Sequence, residues 1–499
     1  MTSIRTTDPR TGRSAPTDLL DTTSAGVDAA VADAVADAAA LRASSRADRE
    51  RLLRRIADEV RAARTELVDA AVRETGLSKE RLDAELDRAA NQFDLFAAVV
   101  RDGGYLEAMI DHAEGAAPDV RRMLVPIGPV VVFGASNFPF AFSVLGGDTA
   151  SAIAAGCSVI AKAHPAHPIT SALSAEVVRA AAIESVGLAV LHAIFGFEAG
   201  LDAVRHPDVR AVTLTGSLGA AKGILDAIAQ RADPIPLFGE LSSINPLIVF
   251  PRAAASRGDD IAALLFESFT ASGGQLCTKP GYVFLPSGPD GDRMIDVLRA
   301  RVESAPGAVL LSEGIRDHFV EGVARQEAEG ARSATTRVAA PGESGFIAAP
   351  VLLEVALDEL DPALARECFG PVIVAVRYDA VDGAVRAIAE FEPSLTISVH
   401  ADADDDRPAV TDLLAVATER AGRIVFDGFP TGVRVSWAQH HGGPWPSTNS
   451  QHTSVGATAI RRFLRPLAFQ NAPEWVLPRE LHDAPADIPR RVDGRMTLA

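Results

Sequence analysis

Cys277 lies in Ser272-Gly273-Gly274-Gln275-Leu276-Cys277-Thr278-Lys279-Pro280. Two glycines just ahead of a thiol let the backbone come close to a bound molecule. A thiol becomes a nucleophile when its thiolate is stabilised and a base or activated water stands nearby. A buried, inert thiol is the other common fate of a cysteine, and the local sequence leaves both readings open. Glu240, in Leu237-Phe238-Gly239-Glu240-Leu241-Ser242-Ser243, ends an apolar stretch, a position expected at the tip of a buried strand. Desolvation there would raise its pKa and suit a general base; a carboxylate paired with a buried cation is the alternative. Asn137, in Gly134-Ala135-Ser136-Asn137-Phe138-Pro139-Phe140, follows the run Val130-Val131-Val132-Phe133. Its amide could donate to a developing oxyanion or simply close a turn.

Other chemistries lack their signatures. No G-x-G-x-x-G follows the first predicted strand and there is no G-x-x-x-x-G-K-[ST] loop, so kinase and P-loop readings fall away. His164 and His167 sit in Lys162-Ala163-His164-Pro165-Ala166-His167-Pro168, where the prolines prevent a shared helical face. His440-His441 adjoins glycines and reads as loop structure. No metal site is expected.

The elements that must position these residues follow from periodicity. Val27, Val31, Val35 and Leu41 recur at near-helical spacing, and so do Leu52, Leu53, Ile56, Val60 and Leu67. The second run stops at Thr75-Gly76, and a further helix opens at Ser78. Residues 24–110 are therefore mostly helical. Short apolar runs near 130–134, 158–163, 189–195 and 211–215 suit strands buried on both faces of a parallel sheet. They alternate with helices at about 143–155, 169–182 and 217–230, the pattern of an open α/β sheet. Strands near 246–250, 281–285, 371–376 and 423–426 imply a second α/β domain. Ile460-Arg461-Arg462-Phe463-Leu464-Arg465-Pro466-Leu467-Ala468-Phe469 alternates apolar and basic positions, as a strand at a sheet edge or subunit boundary would.

Composition excludes whole classes. The chain has 499 residues, 47% hydrophobic and 23% charged, so it is globular and long enough for two or three domains. Its formal charge of −18 opposes binding to nucleic acid or an anionic membrane surface. Three cysteines and no apolar N-terminal run point to a reducing, cytoplasmic setting. No stretch reaches the roughly 20 apolar residues that span a bilayer.

Six motifs occur together in one order: Asn137-Phe138-Pro139, Ile160-Ala161-Lys162, Leu214-Thr215-Gly216-Ser217, Phe238-Gly239-Glu240-Leu241, Gly274-Gln275-Leu276-Cys277-Thr278 and Glu367-Cys368-Phe369-Gly370-Pro371. In these the chain resembles the aldehyde dehydrogenase superfamily over about residues 25–475. The resemblance implies two open α/β domains, one cofactor-binding and one catalytic, plus an oligomerisation β-element. Residues 1–20 would be a flexible arm and 21–240 the cofactor-binding domain, with an oligomerisation strand near 121–127. Residues 241–450 would be the catalytic domain, and 451–499 a C-terminal oligomerisation strand with a surface tail. The assembly would be a homodimer or dimer of dimers.

The resemblance also assigns roles. Cys277 would add to the aldehyde carbon, Asn137 and the Cys277 N–H would hold the oxyanion, and hydride would leave to a nicotinamide. Glu240 would activate water to hydrolyse the thioester. Lys162 would reach the adenosine ribose, Gly216 and Ser217 the pyrophosphate, Glu367 the nicotinamide ribose, and Phe369 would pack near the nicotinamide. Many NAD-favouring members carry a glutamate where Pro165 stands here, so NADP is preferred, with His164 assisting at a 2′-phosphate, and NAD stays open. Within the superfamily the chain looks most like the 2,5-dioxovalerate (α-ketoglutaric semialdehyde) dehydrogenases. Arg434, in Gly432-Val433-Arg434-Val435, would meet a substrate carboxylate, and Trp437 would wall the channel. Alternatives are a long-chain or general aldehyde dehydrogenase, and a CoA-acylating enzyme, which would not need Glu240. A non-catalytic binding protein on the same fold would be expected to lose one of Cys277, Glu240 or Asn137. Cys157 and Cys368 receive no catalytic role.

Overall fold

The computed structural model describes residues 2–335, 345–402, 406–484 and 486–498. The helical segment is built on local signals. Thr23 caps helix Ser24–Ala43 by accepting from Gly26 N. The next apolar run folds as two helices, Arg46–Ala62 and Arg64–Thr75, that meet at Ala63. Gly76 ends the second in the left-handed conformation, φ 67°, where a side chain would be strained. Ser78 then caps helix Lys79–Asp102 by accepting from Arg81 N. Leu52, Ile56, Leu86, Phe93 and Phe96 from these helices share one buried core with Val130, Val159 and Leu191 of the first sheet.

That sheet is five-stranded and wholly parallel, in the order Leu191–Ile194, Val159–Lys162, Val130–Phe133, Ala211–Thr215, Leu237–Glu240. Helices Gly147–Ala155, Pro168–Val186 and Leu218–Ala229 follow its strands. The second sheet has seven strands, ordered Arg332–Ser333, Val351–Ala356, Val372–Tyr378, Tyr282–Pro286, Leu247–Val249, Ser394–His400, Ala421–Phe426. All are parallel except the short first one. The periodicity reading misses Val351–Ala356 and Ser394–His400. The latter includes Ser394, Thr396 and Ser398, whose small hydroxyls are buried in the sheet.

Both chain ends depart from expectation. Residues 3–20 are not a loose arm but a hairpin, Ser3–Asp8 paired antiparallel with Arg13–Leu20. Its polar side chains hide this, because they bond within the chain: Thr17 Oγ1 donates to Ile4 O at 2.7 Å, and Thr6 Oγ1 to Glu74 Oε1 at 2.9 Å. The C-terminal residues are not a surface tail either. Arg490–Val492 and Arg495–Thr497 join a third sheet, ordered Leu464–Gln470, Val120–Pro126, Ala108–Asp111, Arg490–Val492, Arg495–Thr497. Buried Arg490 donates to His482 O at 2.6 Å and Ala484 O at 3.0 Å, so a charge-rich sequence is held as strand. The two strands expected to make an oligomerisation element pair with each other inside one chain, from Leu464 opposite Pro126 to Gln470 opposite Val120.

Among the described residues no helix is long and apolar enough to cross a membrane. Glu74 ties the N-terminal parts together. Its buried carboxylate accepts from Ile169 N, Thr170 N and Thr170 Oγ1 at 2.8–3.0 Å, at the start of helix Pro168–Val186. Glu74→Ala should therefore lower unfolding free energy by about 2–4 kcal/mol, because several buried donors lose a charged acceptor. Glu74→Gln should cost less. Urea midpoints of the two variants check this order.

Candidate active site

Glu240 ends strand Leu237–Glu240, at one edge of the first sheet. Residues 447–449 close that edge. Asn449 accepts from Gly239 N at 2.7 Å and donates to Leu237 O at 2.9 Å, Thr448 Oγ1 donates to Gly239 O at 2.6 Å, and Leu241 N donates to Ser447 O at 2.8 Å. His441, just ahead of this segment in the chain, is buried. His441 Nε2 stands 2.9 Å from Glu240 Oε1 and 3.6 Å from Cys277 Sγ. Ser454 Oγ donates to Glu240 Oε2 at 3.0 Å. One ring nitrogen thus faces a carboxylate and a thiol together, while Glu240 Oε1 itself is left without a hydrogen-bond partner.

Two electrostatic results follow. Burial alone would push Glu240 up, as the sequence suggests. The contacts from His441, Cys277 and Ser454 outweigh it, and the carboxyl lies below its ordinary range. The expected raised pKa is therefore corrected: Glu240 is held ionised. Cys277 goes the other way. Burial, then the neighbouring Glu240 carboxylate, raise the thiol well above its usual range, with Glu367 adding to this and Arg88 opposing it. The sulfur is a neutral thiol at rest.

The loop before Cys277 is fixed at several points. Gly274 has φ 67°, and a Cβ there would come within 2.2 Å of Gly370 O. Gly370 N in turn donates to Gly274 O. The loop of Glu367 and Phe369 is thereby locked to the cysteine loop. Asn137 is buried, and its Nδ2 donates to Gln275 O at 2.8 Å, which leaves its second N–H unspent. Arg81 Nη2 donates to Asn137 O at 2.8 Å. Asn245 donates to Cys277 O at 2.8 Å and Lys279 O at 3.0 Å, holding the backbone on the far side of the cysteine.

The remaining candidates divide between the two sheets. Lys162 ends its strand buried, and burial alone lowers its pKa, with no carboxylate offsetting it. His164 lies nearby. Burial, then His167 and Lys162, hold it well below its usual range. Its Nδ1 accepts from Ala166 N at 3.1 Å, so a neutral ring carries its hydrogen on Nε2 and can donate there. Gly216 and Ser217 are exposed, and Ser217 caps helix Leu218–Ala229 by accepting from Ala220 N. An uncompensated buried ammonium and an exposed helix N-terminus at the carboxyl ends of parallel strands fit the phosphates of a dinucleotide. Glu367 is pushed up to about 7 by burial, against the pull of Lys279. Phe369 is half-buried beside it.

Arg434 and Trp437 are exposed. Cys157 is buried and pushed up to about 11 by desolvation, and Cys368 is buried with Sγ directed at Phe319 O. His167 uses both ring nitrogens inside the chain, on Ala135 O and Ser171 Oγ. Among the described residues, Glu240, Cys277 and His441 are the one compact triad of potential metal-ligating side chains, with donor atoms within 4.8 Å of one another. Sequence reasoning set His441 aside as loop. Its only local signal is the His-His-Gly-Gly run, and nothing in that run points to a carboxylate some 200 residues earlier.

The raised Cys277 thiol has a direct consequence. Iodoacetamide labelling of the ligand-free protein should still accelerate at pH about 9, because thiolate is scarce below the folded pKa. Cys277→Ser should remove the label, since the other two thiols are buried. A rate that levels off below pH about 8 would contradict the neutral resting thiol.

A profile of the aldehyde dehydrogenase family matches residues 2–443. The chain is 44% identical over 462 residues to alpha-ketoglutaric semialdehyde dehydrogenase 2 of Azospirillum brasilense, covering 90% of this chain and 87% of that one. It is 38% identical over 453 residues to alpha-ketoglutaric semialdehyde dehydrogenase of Acinetobacter baylyi, covering 89% and 86%. In fold it is similar to a solved lactaldehyde dehydrogenase, with a TM-score of 0.82 at 19% identity over 94% of this chain and 95% of that one. The chain belongs to the aldehyde dehydrogenase family and is an oxidoreductase that oxidises an aldehyde with NAD(P).

Proposed function

We propose that the protein oxidises 2,5-dioxovalerate to 2-oxoglutarate, with NADP preferred over NAD. The observation that carries the chemistry is the contact of His441 Nε2 with both Glu240 and Cys277. The names of the two relatives carry the substrate. Pro165, exposed and without charge beside Lys162 and His164, favours the 2′-phosphate. A carboxylate at that point would repel a phosphate by about 4 kcal/mol for unit charges 4 Å apart at an effective dielectric of 20.

The chain's own groups then act in sequence. Cys277 gives its proton to the free lone pair of Nε2 on the neutral His441 ring, Glu240 stabilises the charged ring, and the proton returns to sulfur when the thioester is cleaved. The thiolate adds to the aldehyde carbon and forms a thiohemiacetal. Its oxyanion takes the unspent N–H of Asn137 and the N–H of Cys277. A nicotinamide held by Lys162, Gly216, Ser217, Glu367 and Phe369 supplies the hydride acceptor when bound. Glu240, ionised and buried, takes a proton from the water that attacks the thioester carbonyl. The acid leaves and Cys277 returns to its thiol. A homodimer or dimer of dimers goes with this reading, with the edge strand Leu464–Gln470 as contact surface. So does a cytoplasmic setting that keeps Cys277 reduced.

The test is formation of reduced cofactor from 2,5-dioxovalerate, succinate semialdehyde, a short alkanal and a long alkanal, each with NADP and with NAD. 2,5-Dioxovalerate with NADP should lead in kcat/KM by tenfold or more, about 1.4 kcal/mol of transition-state discrimination. A lead for the long alkanal would make this a general aldehyde dehydrogenase with an apolar pocket. Glu240→Gln should give a burst of reduced cofactor near one per site and then a steady rate about a hundredfold down, because the thioester waits for water. A uniform loss without a burst would remove Glu240 from the hydrolytic step.

A further inference from the structure

Helix Lys79–Asp102 presents Arg81, Glu85 and Arg88 at i, i+4 and i+7, on one face. Arg81 and Glu85 make hydrogen bonds there, while Arg81 Nη1 and Glu85 Oε2, 3.6 Å apart, are left without a hydrogen-bond partner. Arg81 holds Asn137 O, and Glu85 Oε1 accepts from Phe140 N at 2.8 Å and Ala141 N at 3.0 Å. Arg88 is different. Its Nε and Nη2 are out of water and have no hydrogen-bond partner, and among the described residues no carboxylate forms an ion pair with it. Instead its guanidinium lies over two half-buried rings, 5.9 Å from the centre of Phe138 and 5.2 Å from that of Phe142. Phe142 is in turn 6.5 Å from the His441 ring, which touches Cys277. Of the charges near it Glu85 acts on Arg88 most strongly, and Cys277 and Glu240 are close enough to act on it as well.

A guanidinium with unspent donors, shielded from water, is costly unless something pairs with it. Two aromatic faces fix its plane without using its N–H groups. The geometry points to Arg88 as the site that takes the substrate's carboxylate, as a bidentate pair at the far end of an ω-oxo acid whose aldehyde carbon lies at Cys277. The assignment rests on the anionic-semialdehyde reading above and moves the recognition of charge from exposed Arg434 to a shielded position. Phe138 and Phe142 then line the short path between the carboxylate and the sulfur. The site selects an aldehyde that carries a carboxylate over an alkanal of equal length.

The test is the ratio of kcat/KM for 2,5-dioxovalerate to that for pentanal, in the full-length enzyme with NADP. The ratio cancels any effect of Arg88 on the thiolate, which both substrates share. Arg88→Met should lower the ratio tenfold or more, and Arg88→Lys, which keeps the charge but not the fork, should fall between it and the native enzyme. Glutarate should compete with pentanal in the native enzyme and lose affinity by a similar factor in Arg88→Met. An unchanged ratio in both variants, or a larger fall in Arg434→Ala than in Arg88→Met, would overturn the assignment. If the native enzyme itself shows no preference for the acid, the substrate reading fails instead, and it fails independently of the variants.

Discussion

A buried carboxylate needs partners to stay ionised, and Glu240 is placed where its partners come from distant parts of the chain. His441 and Ser454 reach it from beyond residue 440, and Cys277 from the loop before strand Tyr282–Pro286 of the second sheet. The contacts that stabilise the charge also set the thiol beside an imidazole. Charge burial and catalytic geometry are thus one arrangement. Loss of the segment around 447–449 would free the strand edge, uncover Glu240 and displace His441 at the same time.

The two parallel sheets divide the work. In a parallel sheet every strand ends on the same side, so Lys162, Thr215 and Glu240 emerge together at one rim. That rim offers an uncompensated ammonium and a capped helix start for anionic groups. The second sheet supplies the base for the Cys277 loop, through Asn245 just before strand Leu247–Val249. Glycine decides how closely the two loops of the site approach. At Gly274 the backbone of Gly370 occupies the space of a side chain, so the Glu367 loop packs directly on the cysteine loop.

Cys277 and Glu240 perturb each other in opposite senses. The ionised carboxylate keeps the thiol protonated, and the imidazole between them gives the proton somewhere to go. Arg88 works against that protonation from the other side of Phe142. The ionised Glu240 and the protonated Cys277 thus support each other's state. Cys157 and Cys368 are buried and face the backbone carbonyls of Phe463 and Phe319.

Much of this was legible in the residues. Apolar runs ending in glycine marked the strands of the first sheet, and Thr75-Gly76 and Ser78 marked helix ends correctly, because caps and β-runs are local. Cys277, Glu240 and Asn137 stood out because each sits at a strand end or glycine turn that residue type and spacing reveal. The hairpin at 3–20 and the strand Arg490–Val492 were missed, since their polar residues are satisfied by partners far away in sequence. The sign of the Glu240 shift was missed for the same reason: burial is readable from neighbours in the chain, but His441 is not. By itself the sequence determined which chemistry is possible, through the kinds of groups present and the elements that carry them. Only the tertiary structure decided how those groups are protonated and which cation is left unpaired, because charge interactions depend on distance through space, which chain separation does not reveal.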